Sequence, residues 1–339
     1  MKKVAIIFGG ASTEHDISIL SAKSIFENID RCEYNVSAIY IDKNGIWYKY
    51  DTLNLIIQNK IEDLLEYIKS FNVIFPVLHG RYGEDGTIQG MLDMLNVSYV
   101  GCGVLASSIC MDKIYSKLVF KQAGFNQAKF VYFKKQNQKY IFVHDEFEEK
   151  CLEIKEIYSK VEKYLTFPLF VKPANSGSSI GISKVETKEQ LEKAINIASK
   201  YDDKILIEEM IYARELECGV LQADKMYTSV VGEIITCGNF YDYNFKYKNN
   251  NQVNKIPADI SSNISDKIQE LSLKAFNIVD AKEIARIDFF LDENDKIYIN
   301  EINTMPGFTN SSMYPKLFEK SGIAYKDLIT MLIENSKQI

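Results

Sequence analysis

An α/β fold, α+β in part, with a parallel sheet at its amino-terminal end is what this 339-residue sequence predicts. Two patterns carry the prediction. In the amino-terminal third, apolar runs of strand length alternate with stretches of helical periodicity, the order that builds a parallel sheet with helices as crossovers. Near the carboxyl end, two alternating apolar runs flank Asp292-Glu-Asn-Asp295, which reads as a β-hairpin. A hydrophobic content of 46% lets a chain of this length bury several cores, so two or three domains are expected.

The elements follow in order. Residues 3–8 read as a buried strand leading into a Gly-Gly turn and a helix over 16–28. Residues 34–41 and 73–77 are the next strands, and an amphipathic helix covers 87–95. Ligands on such sheets bind at the carboxyl ends of strands, where both glycine loops fall. A helix is expected over 105–121. Residues 133–164, rich in Lys, Glu and Tyr, read as a solvated, partly helical insertion. Strands at 167–171 and 180–185 surround a Gly/Ser loop, a helix follows at 187–200, and the strand at 205–207 opens the last domain. Residues 239–254 hold six asparagines and read as an exposed loop. The expected domains are 1–101, 102–206 and 207–339.

Several classes are disfavoured. A net charge of −6 without a basic run gives no footprint for nucleic acid. The six cysteines form no Cys-x-x-Cys pair and there are three histidines, which argues against zinc and fits a reducing cytoplasm. The start, Met-Lys-Lys-Val-Ala-Ile-Ile-Phe-Gly-Gly, imitates a signal peptide, but its apolar core is too short and charge follows at Glu14 and Asp16. No apolar run reaches membrane-spanning length. The expectation is a cytoplasmic protein with no membrane partner.

Four constellations carry chemistry. On the hairpin, Arg286 and Asp288 share one face of the first strand, and Glu301 and Asn303 one face of the second. With a two-residue turn, Arg286 or Asp288 lies opposite Glu301 and all four point the same way; an odd-length turn breaks this register. Hard oxygens so grouped suit Mg²⁺ bridging to nucleotide phosphates; the plainer reading is a solvated face with one ion pair. The loop Asn175-Ser-Gly-Ser-Ser-Ile-Gly181, after Lys172, reads as a phosphate cradle or as a simple turn. Thr304-Met-Pro-Gly-Phe-Thr-Asn-Ser-Ser312 places an amide at Gly307 where it can face developing negative charge, with hydroxyls for a carboxylate, or it is an ordinary loop. Glu14 suits an ammonium group, and His79 tunes a carboxylate, holds an anion or is structural. Lys246 and Tyr247 belong to a lid over the cleft or to an edge strand. Gly101-Cys-Gly103 imitates a dinucleotide fingerprint but lacks the acidic residue that should follow. Together the sites call for a carboxylate, an ammonium, ATP phosphates and Mg²⁺, the requirements of carboxylate activation by phosphoryl transfer.

Seven segments carry a resemblance: Gly9-Gly-Ala-Ser-Thr-Glu-His-Asp-Ile-Ser18, Leu78-His-Gly-Arg-Tyr-Gly-Glu-Asp-Gly-Thr-Ile-Gln-Gly90, Met111-Asp-Lys113, Phe170-Val-Lys-Pro-Ala-Asn-Ser-Gly-Ser-Ser179, Phe240-Tyr-Asp-Tyr-Asn-Phe-Lys-Tyr247, Ala285-Arg-Ile-Asp288 and Asn300-Glu-Ile-Asn-Thr-Met-Pro-Gly-Phe308. Through them the chain resembles, nearly end to end, the D-alanine–D-alanine ligases of the ATP-grasp superfamily. The resemblance implies an ATP-grasp architecture with ATP between the central and carboxyl-terminal domains. Lys113 and Lys172 would contact phosphates under a loop containing Ser178 and Ser179. Glu208, Met210 and Ile211 would hold adenine and Glu215 ribose. Asp288, Glu301 and Asn303 would bind two Mg²⁺, with Mn²⁺ as a substitute and K⁺ as an activator.

In the implied reaction the first D-alanine places its ammonium near Glu14 and its carboxylate near Arg286 and the Gly307 amide. It becomes an acyl phosphate while Lys246 offsets charge, and the second D-alanine attacks it. Glu14, Ser178 and Tyr247 would fix the lid, and His79, Ser312 and Met313 would complete the substrate sites. Tyr247 and the apolar Met313 point to D-alanine as second substrate rather than D-lactate or D-serine. A D-alanyl-D-serine ligase is the nearest rival, and a nucleotide-binding scaffold without turnover a more distant one. A homodimer is implied by the resemblance alone.

Overall fold

The computed structural model describes residues 1–52, 56–136, 139–143, 150–177, 180–235 and 253–336. Three sheets follow one another along the chain. The first contains β1 (Lys2–Gly9), β2 (Tyr34–Ile41), β3 (Trp47–Asp51), β4 (Ile56–Lys60), β5 (Val73–Val77) and β6 (Ser98–Tyr99), in the order β4-β3-β2-β1-β5-β6. The signal-like start is the central strand β1, parallel to β2 and β5 and buried from Val4 to Phe8, as expected of a strand covered on both faces. Its crossover helix α1 (His15–Asn28) and the helices α2 (Leu64–Lys69) and α3 (Thr87–Met94) complete the unit. Strands β3 and β4 were not legible in the sequence. Every residue of β4 is exposed, so no apolar alternation marks it.

Two corrections concern the middle of the chain. The helix expected over 105–121 is two, α4 (Val104–Met111) and α5 (Lys113–Gln122). The break is Asp112, whose carboxylate accepts from the amides of Ile114 and Tyr115 at 3.0 and 3.2 Å and caps the second helix. The solvated insertion is also wrong. That stretch supplies β7 (Phe130–Gln136), β8 (Lys139–Val143), β9 (Lys150–Leu152) and α6 (Ile154–Tyr164), half of the second sheet. Ile157 and Val161, one helical turn apart, are fully buried, while lysines and glutamates occupy the other face of α6.

The same sheet continues with β10 (Leu169–Pro173), β11 (Ser183–Val185) and β12 (Lys204–Glu209), covered by α7 (Leu191–Ala198). Its order is β11-β10-β12-β7-β8-β9, so the strand expected to open the last domain lies inside the second sheet.

The third sheet runs β16-β15-β13-β17-β18, from β13 (Ala213–Gln222), β15 (Gly232–Ile235), β16 (Val253–Lys255), β17 (Ile284–Asp292) and β18 (Ile297–Asn303), with β14 (Met226–Thr228) beside β13. Helix α8 (Ser262–Ile278) covers one side through Ile268, Ala275 and Phe276. On the other side α9 (Met313–Lys320) and α10 (Tyr325–Asn335) share a core with the first sheet, where Phe8 and Phe75 join Phe308, Tyr314 and Phe318. A polar contact adds to it: Glu334 accepts from Lys2 Nζ and the Tyr34 hydroxyl, both at 2.8 Å. The carboxyl ends of β1 and β5 thereby face the ends of β17 and β18. Among the described residues no helix is long and apolar enough to cross a membrane.

Candidate active site

A cavity of about 680 Å³ lies where the three sheets meet. Its lining brings together Glu14 and His79 from the first sheet, Lys113, Lys172 and Glu208 from the second unit, and Arg286, Glu301, Asn303 and Gly307 from the third. Met210, Ile211 and Glu215 also line it.

The hairpin reaches its expected face by an unexpected route. Its turn is odd, with Leu291 opposite Ile297, Phe289 opposite Ile299, and Asp295 in the left-handed region at φ 59°. Continued without change, that register would send Glu301 and Asn303 to the buried face. A bulge between Asp288 and Phe289 leaves Asn300 as an extra residue, and beyond it Asp288 lies opposite Glu301 and Arg286 opposite Asn303. The two irregularities cancel. The Arg286 guanidinium then forks onto Asp288 with both contacts at 2.7 Å, and Asn303 Nδ2 donates to Asp288 at 2.9 Å.

A further carboxylate, missed in the sequence, completes this end. Glu217 on β13 lies opposite Asp288, is buried, and its Oε2 sits 3.0 Å from Arg286 Nε. Burial alone would lower the Arg286 pKa, but Asp288 and Glu217 hold it well above its ordinary value. The donor set suits a hard cation. Asp288, Glu301 and Asn303 offer an incomplete oxygen shell of the kind Mg²⁺ completes with phosphate and water. Among the described residues no three His, Cys, Asp or Glu side chains form a ready-made cage.

The opposite end is cationic. Glu208 is buried between Lys117, at 2.8 Å, and Lys172. Burial would raise its pKa, yet the two lysines lower it to about 2. Lys117 was also missed. It lies one helical turn after Lys113 on α5 and is buried. Lys113 Nζ donates to the Ser176 carbonyl at 2.5 Å. Burial lowers the Lys113 pKa, with Glu301 opposing and Lys172 adding to the shift. At the root of the Gly/Ser loop, Asn175 donates to Asp202 from both its backbone and its side chain at 2.8 Å, and Lys204 pairs with Asp112.

Glu14 sits where two loops close in. A Cβ at Gly80 would fall 2.5 Å from its Oε2 and one at Gly177 2.6 Å, so a side chain at either would push the carboxylate aside, and Gly80, at φ 73°, favours glycine by its backbone as well. His79 is buried, with Nε2 3.0 Å from Ser21 Oγ and Nδ1 3.4 Å from Glu84. Burial, which lowers the imidazole pKa, is outweighed by Glu84 and Glu14, and the net shift is upward. Ser21 also accepts from the Phe308 amide at 3.3 Å, tying His79 to the Gly307 loop.

The remaining expected site residues among those described lie at the start of α9 and beside β12. Ser312 Oγ accepts from the Thr309 amide at 2.9 Å and sits 2.9 Å from where a Gly307 Cβ would be. Met313 is buried, with its sulfur 3.0 Å from where a Gly232 Cβ would be, and it does not line the cavity. As the first residue of α9 it is packed towards Gly232 at the start of β15. The Met210 amide donates to the Pro168 carbonyl at 3.0 Å, which removes it as a donor to a base. Ser178, Ser179, Lys246 and Tyr247, with most of the proposed lid, lie outside the described residues.

Comparison with known proteins agrees across the chain. A family model described as the D-ala D-ala ligase N-terminus matches residues 3–102, and one described as the D-ala D-ala ligase C-terminus matches 119–334. The D-alanine–D-alanine ligase of Acetivibrio thermocellus is 42% identical, covering 99% of this chain and 96% of its own. That of Natranaerobius thermophilus is 44% identical, covering 98% and 94%. Among solved structures, the VanG D-Ala:D-Ser ligase from Enterococcus faecalis has a TM-score of 0.86 at 32% identity, covering 99% of both chains. The D-alanine–D-alanine ligase from Coxiella burnetii has a TM-score of 0.81 at 32% identity, covering 99% of this chain and 95% of that one.

Proposed function

The chain belongs to the D-alanine–D-alanine ligase family, and from that premise we propose that it joins two D-alanines into D-alanyl-D-alanine with cleavage of ATP to ADP and phosphate. The observation that carries this reading is a cavity lined from all three sheets, cationic at one end and rich in carboxylates around Arg286 at the other. Phosphates belong at the first end, held by Lys113 and Lys172. Glu208 and Ile211 face the base and Glu215 the ribose. The first D-alanine spans Glu14 with its ammonium, and Arg286 and the Gly307 amide with its carboxylate.

A carboxylate oxygen of that D-alanine attacks the γ-phosphorus, forming an acyl phosphate and releasing ADP as leaving group. The neutral amine of the second D-alanine attacks the acyl carbon. Arg286 and the Gly307 amide stabilise the resulting oxyanion, and phosphate departs as the peptide bond forms. Asp288, Glu301 and Asn303 would hold divalent cations, Mg²⁺ or Mn²⁺, which neutralise phosphate charge when bound. Because Glu217 also holds Arg286, the guanidinium keeps its orientation when Asp288 takes a cation. The family resemblance assigns Ser178, Ser179, Lys246 and Tyr247 to excluding water from the acyl phosphate. The reading extends to three domains in a cytoplasmic, homodimeric enzyme of peptidoglycan precursor synthesis.

A second reading, ligation of D-alanine to D-serine, is favoured by the TM-score of 0.86 to a D-Ala:D-Ser ligase and by the burial of Met313, which withdraws the residue expected to exclude a hydroxyl. Phosphate release from ATP and Mg²⁺, with products identified by mass, separates the two. Turnover with D-alanine alone to the homodipeptide supports the first reading. Turnover that requires added D-serine or D-lactate rejects it.

A further inference from the structure

The passage from the first sheet to α4 is held by a residue in a strained conformation. Glu283, just before β17, has φ 60°. Across it the Ile284 amide donates to the Lys282 carbonyl at 2.6 Å. A hydrogen bond from i+2 to i around a left-handed residue is the rarer, strained form of the γ-turn. Glycine would adopt it without steric cost, so a glutamate here needs a compensating interaction.

The side chain supplies one. Glu283 is only 7% exposed, and its Oε2 accepts from the Gly101 amide at 2.9 Å. Gly101, at φ 116°, is where the chain leaves β6 for α4. The Glu283 backbone is braced by Gln222 on β13, whose amide donates to its carbonyl at 2.8 Å. Cys102 Sγ lies 3.3 Å from the carbonyls of both Lys282 and Ile284. Gly101 is also near the Gly307 loop, since a Cβ there would meet Met305 Cε at 3.4 Å. One buried carboxylate thus ties the first sheet's exit to the strand that carries Arg286 three residues later.

We propose that Glu283 is a positioning residue for the first amino acid substrate, setting the distance between Glu14 and His79 on one sheet and Arg286 and Gly307 on the other. The apolar core shared by these sheets brings them together without direction. The hydrogen bond to Gly101 fixes the last fraction of the spacing, which matters for a small substrate gripped at both ends. This rests on the reading that the first D-alanine spans those groups. On the same reading ATP binds between the second and third sheets, so its binding does not depend on this tie.

Three variants test it. Glu283→Gly removes the tie and relieves the backbone, Glu283→Ala removes the tie but keeps the strain, and Glu283→Gln retains an acceptor. The measurements are KM for the first D-alanine, KM for ATP, thermal midpoint, and hydrogen exchange over residues 101–103. In Glu283→Gly the thermal midpoint should hold or rise, exchange protection at 101–103 should fall, and KM for D-alanine should increase about tenfold, the scale of one charge-assisted hydrogen bond, with KM for ATP unchanged. Glu283→Gln should stay within about twofold of wild type. A wild-type KM for D-alanine in Glu283→Gly, or an equal rise for both substrates, overturns the proposal. Failure of the wild-type chain to use D-alanine at all would instead sink the functional reading. The exchange experiment still decides the tie, because retained protection in Glu283→Gly refutes it whatever the activity.

Discussion

The two ends of the cavity solve the same electrostatic problem with opposite signs. At the phosphate end Lys113, Lys117 and Lys172 surround one carboxylate, Glu208. At the hairpin end Asp288, Glu217 and Glu301 surround one cation, Arg286. Each end sets a counter-charge, Glu208 or Arg286, among like charges and so holds them close together before any ligand arrives. The surplus at each end then matches its partner, anionic phosphates at the first and divalent cations at the second. Construction differs too. The hairpin cluster lies on neighbouring strands of one sheet, whereas the lysine cluster draws on a helix and two strands.

Removing this counter-charge should therefore cost most. Arg286→Leu takes the guanidinium away from buried Glu217 and half-buried Asp288, and urea unfolding should show a loss of about 3–5 kcal/mol together with loss of ligation. Unchanged stability would mean that the hairpin cluster does not depend on Arg286. Next, Glu301→Gln removes a surplus charge rather than the counter-charge. It should fold normally and lose about two orders of magnitude in Mg²⁺-dependent turnover, at least what losing a supporting group around a metal costs. Near-normal turnover at matched Mg²⁺ would remove Glu301 from the metal set.

Glu208 sharpens the comparison through pH. Its folded pKa, about 2, lies below the ordinary 4.5. Its contribution is therefore present above pH 4.5 and disappears as pH falls toward 2. Glu208→Gln should be less stable at neutral pH and should show a shallower acid limb over that window in thermal midpoints. An acid limb as steep as the wild type's would show that other carboxylates dominate it.

The smallest effect is expected at His79. Its pKa is raised from 6.5, so its stabilisation is complete below that pH and is lost as pH climbs through the folded value. His79→Gln should flatten the alkaline decline in thermal midpoint. A decline unaffected by the substitution would point to another group.

Much of this site was legible in the linear chain. Strands β1, β2 and β5, the crossover helix after the first glycine turn, and both glycine loops follow from apolar runs and turn residues that act within a few positions of each other. The hairpin residues Arg286, Asp288, Glu301 and Asn303 were found by two-residue alternation, although the path to their shared face was not. An odd turn and a bulge at Asn300 each invert the face, and only their combination restores it. Nothing in the local pattern reports that pair of inversions.

Lys117 and Glu217 escaped for a related reason. Each looks like a solvent-facing residue on its own element and gains its partner from a strand or helix distant in sequence. Met313 shows the reverse, a residue assigned to the cleft that tertiary packing turns into a core. The Lys- and Glu-rich helix α6 is buried on one face, at Ile157 and Val161, only because the second sheet lies beneath it. Periodicity, turn chemistry and the inventory of reactive groups were determined by the sequence itself, since these act through the local backbone. Register across the bulge, the burial of paired charges and the tie between Glu283 and Gly101 were decided by tertiary structure, because each exists only when segments far apart in the chain exclude water together.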